Sequence, residues 1–266
     1  MQVSITNDAT TRATLAAAAR FSAGTNSLPV LSYGYVTASG GAATIATTDL
    51  ERGATLPLSI AGMNGGGSGL LPLKALAAYL KASPKNAPVS LDWQPIPDRK
   101  ELRLIATAGD ASVSWDVLPE TEFPAVRARF DTDAANLYID GLIFRAMLES
   151  VAYAVSREET RYFLNGVYMT ATAKGVTAVA TNSRRMAIAR TKDATVDVPF
   201  VALIPAGTID AWLRILPAKG VYTVDVTVKA NQIVCEACDM SLVSRLIEGE
   251  YPDYHRILKA AGDNAI

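Results

Sequence analysis

The stretch Arg145-Ala146-Met147-Leu148 repeats Arg12-Ala13-Thr14-Leu15 at an offset of half the 266-residue chain. The same offset recurs at four further places. Near the end of each half the offset falls by five, so that Glu250-Tyr251-Pro252 answers Glu122-Phe123-Pro124. A period this long indicates two copies of one structural unit, and it constrains the fold before any local pattern does. The other matched pairs are Thr48-Asp49 with Thr181-Asn182, Pro72 with Pro205, Tyr79-Leu80-Lys81 with Trp212-Leu213-Arg214, and Pro84 with Pro217.

The repeat predicts two tandem domains, at residues 1–126 and 134–266, with residues 127–133 inside a linker over 126–136. Each half reads as a strand and a helix, then several strands, then a second helix and more strands. Many short strands at hairpin spacing with few crossover helices favour an α+β fold with antiparallel sheets over a doubly wound fold.

Each half is predicted to contain two helices. Residues 10–22 are rich in alanine and lack glycine and proline, which favours a helix. A second helix is predicted from Pro72, a favoured first-turn residue, to just before Pro84. The second-half helices are predicted at 141–156 and 205–216. Strands are predicted at 32–38, 43–48, 89–93, 102–106 and 111–117, and then at 162–172, 175–180, 222–228, 233–238 and 241–246, with a loop at 62–69.

Composition limits the classes of function. The formal net charge is −1, and each half is nearly balanced in acidic and basic residues, so any contact with nucleic acid must use a local basic face. The sequence contains no run of 18 apolar residues, so no membrane span is expected. Residues 1–5 alternate like a strand and lack the pattern of a signal peptide, so a cytoplasmic location is expected.

Three features resemble chemical motifs but favour structural roles. Cys235-Glu236-Ala237-Cys238 is a single C-x-x-C pair in a strand pattern, where residues three apart point to opposite faces, so two small strand residues are expected rather than zinc or redox chemistry. The run Asn64–Gly69 precedes a helix but lacks the lysine of a phosphate-binding loop, which favours a flexible connector over an anion site. His255 has no nucleophile motif near it. We therefore expect no cofactor, no metal and no catalytic site.

Three segments of the second half carry a resemblance to a known family. Arg161–Val167 reads RYFLNGV, Val179–Ala187 reads VATNSRRMA, and Leu246–Leu258 contains GEYPDYHRIL. In these words and spacings the chain resembles the bacterial sliding clamp, the beta subunit of DNA polymerase III, which shows RYYLNG, ATDGHRLA and PDYRR. The first half is similar at Leu28-Pro29-Val30-Leu31, Thr48-Asp49-Leu50-Glu51 and Phe123-Pro124, which match the family's LPIL, TDLE and (D/E)-FP.

The resemblance implies a clamp fold, in which sheets lie outside a ring and two helices per domain line its hole. It implies a non-catalytic processivity factor that encircles double-stranded DNA and tethers a replicative polymerase. Family members have three domains and form a dimeric ring of six, whereas this chain carries two repeats. A homotrimer is therefore favoured if the protein has two domains, and a dimer if a third domain is missing. A small enzyme on the same fold, using Cys235, Cys238 or His255, is the alternative from another class.

Basic residues on the predicted helices are the candidates for DNA contact. Lys74 and Lys81 are seven residues apart, so both project from one helix face. The alternative reading for each basic residue is a solvated surface charge. Residues 205–208 lack a basic pair common in the family, so weak DNA binding is expected. The remaining candidates are Arg12, Arg20, Arg145 and Arg214 on the helices, with Arg161 and Tyr162, which match a family loop that contacts DNA.

The resemblance also implies a pocket for a short hydrophobic peptide of a DNA polymerase or clamp loader. An apolar floor with a polar rim suits such a ligand, and the alternative is that Met186 and Ile257 are ordinary core residues. The family pocket also uses the third domain, so a shallower site, or one completed by a neighbouring subunit, is expected. The carried-over residues are Thr181, Ser183, Arg185 and Met186 from one segment, and Pro252, Arg256 and Ile257 from the other.

Overall fold

The computed structural model describes residues 1–23, 28–126 and 134–261, so residues 127–133 of the predicted linker lie outside it. The first helix of each domain begins at an aspartate that caps it: Asp8 accepts a hydrogen bond from the Thr11 amide, and Asp140 accepts from two amides of the first turn. A 3-10 segment, Glu159–Leu164, follows the third helix. The helices are α1 Ala9–Ala18, α2 Leu73–Ala82, α3 Gly141–Ala152, α4 Ala206–Ile215 and α5 Tyr254–Ala261.

Most strands alternate buried side chains with more exposed ones, as expected for sheets with one face against a core. The first domain contains β1 Gln2–Thr6, β2 Tyr33–Ser39, β3 Ala42–Thr48, β4 Arg52–Leu58, β5 Gly62–Asn64, β6 Gly67–Pro72, β7 Pro88–Pro95, β8 Leu102–Ala108 and β9 Ala111–Val117. The second domain contains β10 Ala135–Asp140, β11 Gly166–Thr172, β12 Gly175–Thr181, β13 Met186–Thr191, β14 Ala194–Val196, β15 Phe200–Pro205, β16 Thr223–Lys229, β17 Gln232–Ala237 and β18 Met240–Arg245.

Among the described residues, the strands and the first two helices of the second domain repeat those of the first in order. β2 and β11 begin half a chain length apart, as do β3 and β12, and α2 and α4. The offset shrinks at one turn, because residues 96–101 connect β7 to β8 whereas only residues 230–231 connect β16 to β17. The sequence repeat is therefore a structural repeat, and the shorter turn accounts for most of the change of offset near its end.

All strand pairs in the three sheets are antiparallel. A five-stranded sheet has the order β5-β1-β7-β8-β9, and a four-stranded sheet has the order β13-β12-β11-β15. The third sheet has nine strands, in the order β14-β10-β16-β17-β18-β4-β3-β2-β6, and it crosses from one domain to the other where β18 pairs with β4. The predicted α+β class with antiparallel sheets is confirmed, and the two domains share one continuous sheet.

Several predicted boundaries are wrong for local reasons. α1 ends at Ala18 rather than at residue 22, because the amides of Arg20 and Phe21 bond three residues back and tighten the chain. α3 ends at Ala152 rather than at 156 for the same reason, since the Ala154 and Val155 amides bond three residues back. Residues 162–164 form part of the 3-10 segment instead of a strand, and β10 takes residues 135–136 of the predicted linker.

The glycine run is not the predicted loop and flexible connector. β5 and β6 occupy most of it, and Trp93 of β7 lies directly against β6. A Cβ atom on Gly69 would lie 2.6 Å from the Trp93 ring, so only glycine permits this approach. The indole Nε1 of Trp93 donates to the Leu70 carbonyl oxygen at 2.8 Å. The glycines therefore serve packing within a sheet.

The two cores differ at one matched position. In the second domain Trp212 of α4 is fully buried, with its ring centroid 6.2 Å from that of Phe144. The counterpart on α2 is Tyr79, which is only partly buried and donates its hydroxyl to the Ala111 carbonyl oxygen at 2.8 Å. The second domain therefore depends more on a single aromatic side chain.

Candidate DNA and partner interfaces

The helix pair of the first domain presents cations without carboxylates. Lys74 and Lys81 of α2 are exposed, and so is Arg20 just after α1. Arg12 is partly buried and donates to Asn7 Oδ1 at 3.2 Å. Neither α1 nor α2 contains an acidic residue, and most of their other exposed positions are alanine. This surface is a basic, sterically smooth face that suits a phosphate backbone.

The helix pair of the second domain is close to neutral. Arg145 of α3 donates Nη1 to the carbonyl oxygens of Leu213 and Leu216, the latter at 2.8 Å, and pairs with Glu149 at 2.7 Å. It thus binds the carbonyls at the end of α4, where a cation is favoured. Arg214 is exposed, and exposed Asp210 lies one turn before it on α4. The DNA contact of Arg145 stays a prediction, but its guanidinium already has partners within the chain.

Arg161 and Tyr162 lie beside the candidate peptide site instead of on α3 or α4. Arg161 Nη1 donates to Ser183 Oγ at 2.8 Å, and its Nε lies 3.9 Å from a Glu158 carboxylate oxygen. Tyr162 is 57% exposed, and its ring meets that of Phe163 edge-on. Arg161 therefore lies at the rim of the turn that carries Ser183, and Tyr162 lies beside Gly249 of the other predicted segment.

The first segment of the candidate peptide site is a tightly bonded turn between β12 and β13. Thr181 is buried and donates Oγ1 to the Arg185 carbonyl oxygen at 2.8 Å. The Asn182 side chain accepts from the amides of Arg184 and Arg185, both at 3.1 Å. Ser183 takes a left-handed φ of 70°. The turn therefore holds Thr181, Ser183 and Arg185 close together, with half-buried Met186 beginning the next strand.

The second segment is held on the same four-stranded sheet by aromatic stacking. The Tyr251 ring stacks on Tyr168 of β11 at 4.7 Å, and the Tyr254 ring meets Tyr168 at 6.3 Å. Burial raises the pKa of Tyr251 to about 12. Pro252 is half-buried next to this stack. The structure thus places both predicted segments on one sheet.

Two members of the predicted site lie farther out. Arg256 is exposed and pairs with Asp253 at 3.3 Å. The backbone of Ile257 is part of α5, but its side chain lies outside the described part of the structure. The apolar floor predicted from Met186, Pro252 and Ile257 therefore stays a prediction.

A cavity of about 610 Å³ lies between the end of α3, the 182–185 turn and the start of α4. Arg185 closes one side, because its Nη2 donates to the Tyr153 carbonyl oxygen at 2.7 Å and its guanidinium lies 5.4 Å from the Tyr153 ring centre. Sequence reasoning missed Tyr153, although an exposed aromatic residue at a helix end is a recognisable signal. The other lining residues are Ala152, Val155, Arg157, Asn182, Ala206, Ile209 and Asp210.

The first domain has a related but more open surface. Phe123 stacks on Tyr35 of β2 at 5.5 Å, as Tyr251 does on the matched Tyr168. A cavity of about 740 Å³ lies beside this stack, lined by Thr37, Thr44 and Ala46 among other residues. The repeat therefore extends to the segment that ends each domain.

Comparison with known proteins decides the fold family. Residues 139–253 match the family model described as DNA polymerase III beta subunit, central domain. The DNA polymerase sliding clamp from Pseudomonas aeruginosa superposes with a TM-score of 0.85 at 22% identity, over 99% of this chain and 69% of that one. The chain has the fold of a bacterial DNA sliding clamp. The resemblance predicted from the three segments is confirmed.

The relatives found by sequence comparison are also bacterial beta sliding clamps. The beta sliding clamp of Caulobacter vibrioides is 29% identical over 246 residues, and that of Pseudomonas putida is 24% identical over 250 residues. Each alignment covers 90% of this chain and 63% of the relative, so the chain spans less than two thirds of those clamps. The Helicobacter pylori beta clamp, solved with a DNA ligase peptide, has a TM-score of 0.83 at 14% identity, over 97% of this chain and 69% of that one.

The features that resembled chemical motifs have structural settings in this clamp fold. Cys235 is a buried residue of β17, as predicted, and burial raises the pKa of its thiol. Cys238 is not the predicted strand residue, because it lies exposed in the β17–β18 turn with a φ of 50°. The two cysteines are not bonded to each other. His255 is exposed on α5, with its ring 4.1 Å from that of Tyr254.

The described residues offer neither a cluster of metal ligands nor a membrane-spanning helix. They contain no group of three or more histidine, cysteine, aspartate or glutamate residues arranged to hold a metal ion. No helix among them is long and apolar enough to cross a membrane.

Proposed function

We propose that this protein is a DNA sliding clamp, a non-catalytic ring that encircles duplex DNA and tethers a DNA polymerase in the bacterial cytoplasm, on a chromosome, plasmid or phage genome. The observation that carries the proposal is the β18–β4 pair, which joins two copies of one domain into a continuous sheet. Within the described residues, β9 and β13 each have a strand neighbour on one side only. Repeated units with an open edge at each end associate head to tail and close into a ring when the rotation fits.

Encirclement explains how a clamp can hold DNA and still slide. Phosphate contacts alone would give affinity that salt weakens and that resists movement. A closed ring is linked to the duplex by topology, so its direct contacts can stay weak. If six such domains close a circle, three copies of a two-domain chain supply them. If the protein contains a third domain, two copies suffice.

The basic helix pair of the first domain supports a role in holding DNA. Arg20, Lys74 and Lys81 are exposed, and α1 and α2 carry no acidic residue. Cations spread thinly over a smooth face attract phosphates without reading bases. We assign the sequence-independent contact with double-stranded DNA to this face.

The second domain supports a role in binding partners. Its two segments with the strongest family likeness lie on one sheet, and the related Helicobacter pylori clamp was solved with a DNA ligase peptide. We assign to this surface a short hydrophobic peptide of a DNA polymerase or clamp loader. An adaptable methionine and a proline beside polar groups suit such a ligand.

The clamp function is tested by retention on circular against linear DNA. Protein diluted below its assembly concentration is mixed with nicked circular plasmid, concentrated so that rings close around the DNA, and passed through a sizing column in moderate salt. We expect co-elution with the circle and release after the plasmid is linearised. Equal retention on both DNA forms, or none on either, would contradict encirclement.

The partner site is tested with Pro252→Asp and Ile257→Asp in one chain, which leaves the edge strand β13 and its Met186 unchanged. We expect loss of binding to a labelled polymerase-derived peptide with an unchanged assembly mass. Val198→Asp is the matched control, because Val198 is 53% exposed and lies outside both segments. Undiminished peptide binding by the double variant would contradict the assignment.

A further inference from the structure

The junction inside the chain shows how two clamp domains pair. β18 and β4 run antiparallel, with Leu242 opposite Ala54 and Val243 opposite Gly53. Beyond the last ladder pair, the Arg245 amide donates to the Glu51 carbonyl oxygen at 2.8 Å. The Arg245 and Glu51 side chains then form an ion pair at 3.6 Å. An exposed ion pair therefore marks one end of this junction.

The open strand β9 is the counterpart of β18. Each strand follows a two-residue turn, Gly109-Asp110 before β9 and Cys238-Asp239 before β18. Counting from these turns, Ala111 matches Met240, and Asp116 matches Arg245. The position that is cationic on β18 is therefore anionic on β9.

The open strand β13 is the counterpart of β4. The turns before them share their hydrogen bonds, since Thr48 Oγ1 donates to the Arg52 carbonyl oxygen at 2.7 Å as Thr181 Oγ1 does to that of Arg185. The matched residues Leu50 and Ser183 both take a left-handed φ. Glu51 therefore matches Arg184, and Gly53 matches Met186. The position that is anionic before β4 is cationic before β13.

We propose that β9 of one copy pairs with β13 of the next in the register of the internal junction, and that Asp116 and Arg184 form its ion pair with reversed polarity. The inference rests on the proposed ring and names its closing surface. In this register Val113 faces Ala187 and Ser114 faces Met186. The pattern of burial agrees, because Val113 and Ala187 point inward on their strands while Ser114 is exposed and Met186 only half-buried.

The reversed polarity also discriminates between junctions. If β9 paired with β4 of another copy, Asp116 would face Glu51. If β18 paired with β13, Arg245 would face Arg184. Both mismatched pairings oppose like charges, which disfavours them relative to the two correct ones. The ion pairs thus keep the junction within a chain distinct from the junction between chains.

The groups around Asp116 keep it charged and leave it able to bind a second cation. Arg103 of β8 holds it at 2.9 Å, and Arg99 lies at 3.9 Å. The hydrogen bond from Arg103 lowers the pKa of Asp116. A carboxylate has two oxygens and accepts several donors, so Arg184 of a neighbour can join Arg103. Arg184 itself is exposed on a turn whose backbone Asn182 fixes.

The register is tested by cross-linking the full chain. In a Cys238→Ser background, Ser114→Cys with Met186→Cys places two thiols on opposed positions of one face. Mild oxidation should then give covalent oligomers. The matched control, Ser114→Cys with Ala187→Cys, puts the second thiol on the other face and should stay uncross-linked. Equal cross-linking in both variants, or none in the first while the protein remains oligomeric, would overturn this register.

The ion pair is tested by charge reversal. Asp116→Arg and Arg184→Glu should each weaken self-association roughly five- to tenfold, and the double variant should recover most of the loss. Asp92→Arg on β7, two strands from the edge, should change little. Single variants that assemble like the original, or a double variant weaker than either single one, would overturn the ion pair. Cross-linked rings that fail to stay on circular DNA would overturn the clamp function and leave this junction standing.

Discussion

The helix pairs of the two domains share one backbone arrangement and differ in charge. α1 and α2 carry Lys74 and Lys81 and no acidic residue, whereas α3 and α4 balance Arg145 and Arg214 with Glu149 and Asp210. The two copies of the repeat therefore share the geometry of the helix pair but differ in the charged residues on its surface. In the ring proposed above, cationic and neutral helix pairs would alternate around the hole, and we expect DNA to contact every second domain.

Truncating a matched aromatic residue should affect the two domains most unequally. Trp212→Ala empties a fully buried site against Phe144 and should lower the free energy of unfolding by about 3–5 kcal/mol. Tyr79→Ala removes a partly exposed ring and should cost roughly half of that. Denaturant unfolding of both variants measures the difference. Equal losses would show that the two cores depend equally on this position.

Charge reversal at matched helix positions should weaken DNA contact in one domain only. Lys81 and Arg214 occupy the same place in the repeat, and Lys74 shares the face of Lys81. Lys74→Glu with Lys81→Glu should reduce the slope of log affinity against log salt by about two units, since each phosphate contact contributes about one. Lys81→Glu should weaken DNA binding more than Arg214→Glu. Equal weakening of DNA binding by Lys81→Glu and Arg214→Glu would contradict the proposal that the first-domain helices contact DNA more than the second-domain helices do.

Arg145 should matter for stability more than for DNA. Its guanidinium donates to two carbonyl oxygens at the end of α4. Without the guanidinium, both carbonyl oxygens would lose a hydrogen-bond donor. Arg145→Met should therefore lower the free energy of unfolding by roughly 1–3 kcal/mol. Salt-dependent DNA binding of the folded variant should stay near that of the original protein. An unchanged melting temperature with weakened DNA binding would instead show that Arg145 contacts DNA.

The smallest expected effect is a pH-dependent one in the second domain. Partial burial, with Glu236 opposite on β17, raises the pKa of Asp225. The folded state thus binds the Asp225 proton more tightly than the unfolded state does. The free energy of unfolding therefore falls as pH rises from the pKa of Asp225 in the unfolded state to its higher pKa in the folded state. Asp225→Asn should stabilise the protein at pH 7 by a few tenths of a kcal/mol, on the order of a screened surface interaction, and the gain should vanish in acid.

A second aspartate provides the control of opposite sign. Hydrogen bonds from the Asn136 side chain and amide lower the pKa of Asp197. Asp197→Asn should therefore destabilise the protein at pH 7. A shift of the same sign in both variants, measured by thermal unfolding across pH, would contradict these assignments.

The sequence predicted what depends on patterns along the chain. The constant offset of half a chain length revealed the domain repeat, and Pro72 and Pro84 bracketed α2 to within a residue. It did not predict the β18–β4 pair, because pairing between strands so distant in the chain leaves no local signal. The sequence pattern predicted a flexible connector where the glycines of β6 lie. Glycine is required there because Trp93 packs against the strand, and this contact between distant residues cannot be seen in the sequence. The carbonyl partners of Arg145 were hidden for the same reason, because they lie on a different helix.

The mass of the protein in solution tests the central claim most directly. Light scattering of the purified chain at micromolar concentration should give three times 28.2 kDa, as expected for a closed ring of three two-domain chains. The mass should stay constant over a tenfold range of concentration, because a closed ring offers no open edge for further growth. A mass of 28.2 kDa throughout, or one that keeps rising with concentration, would contradict a closed clamp.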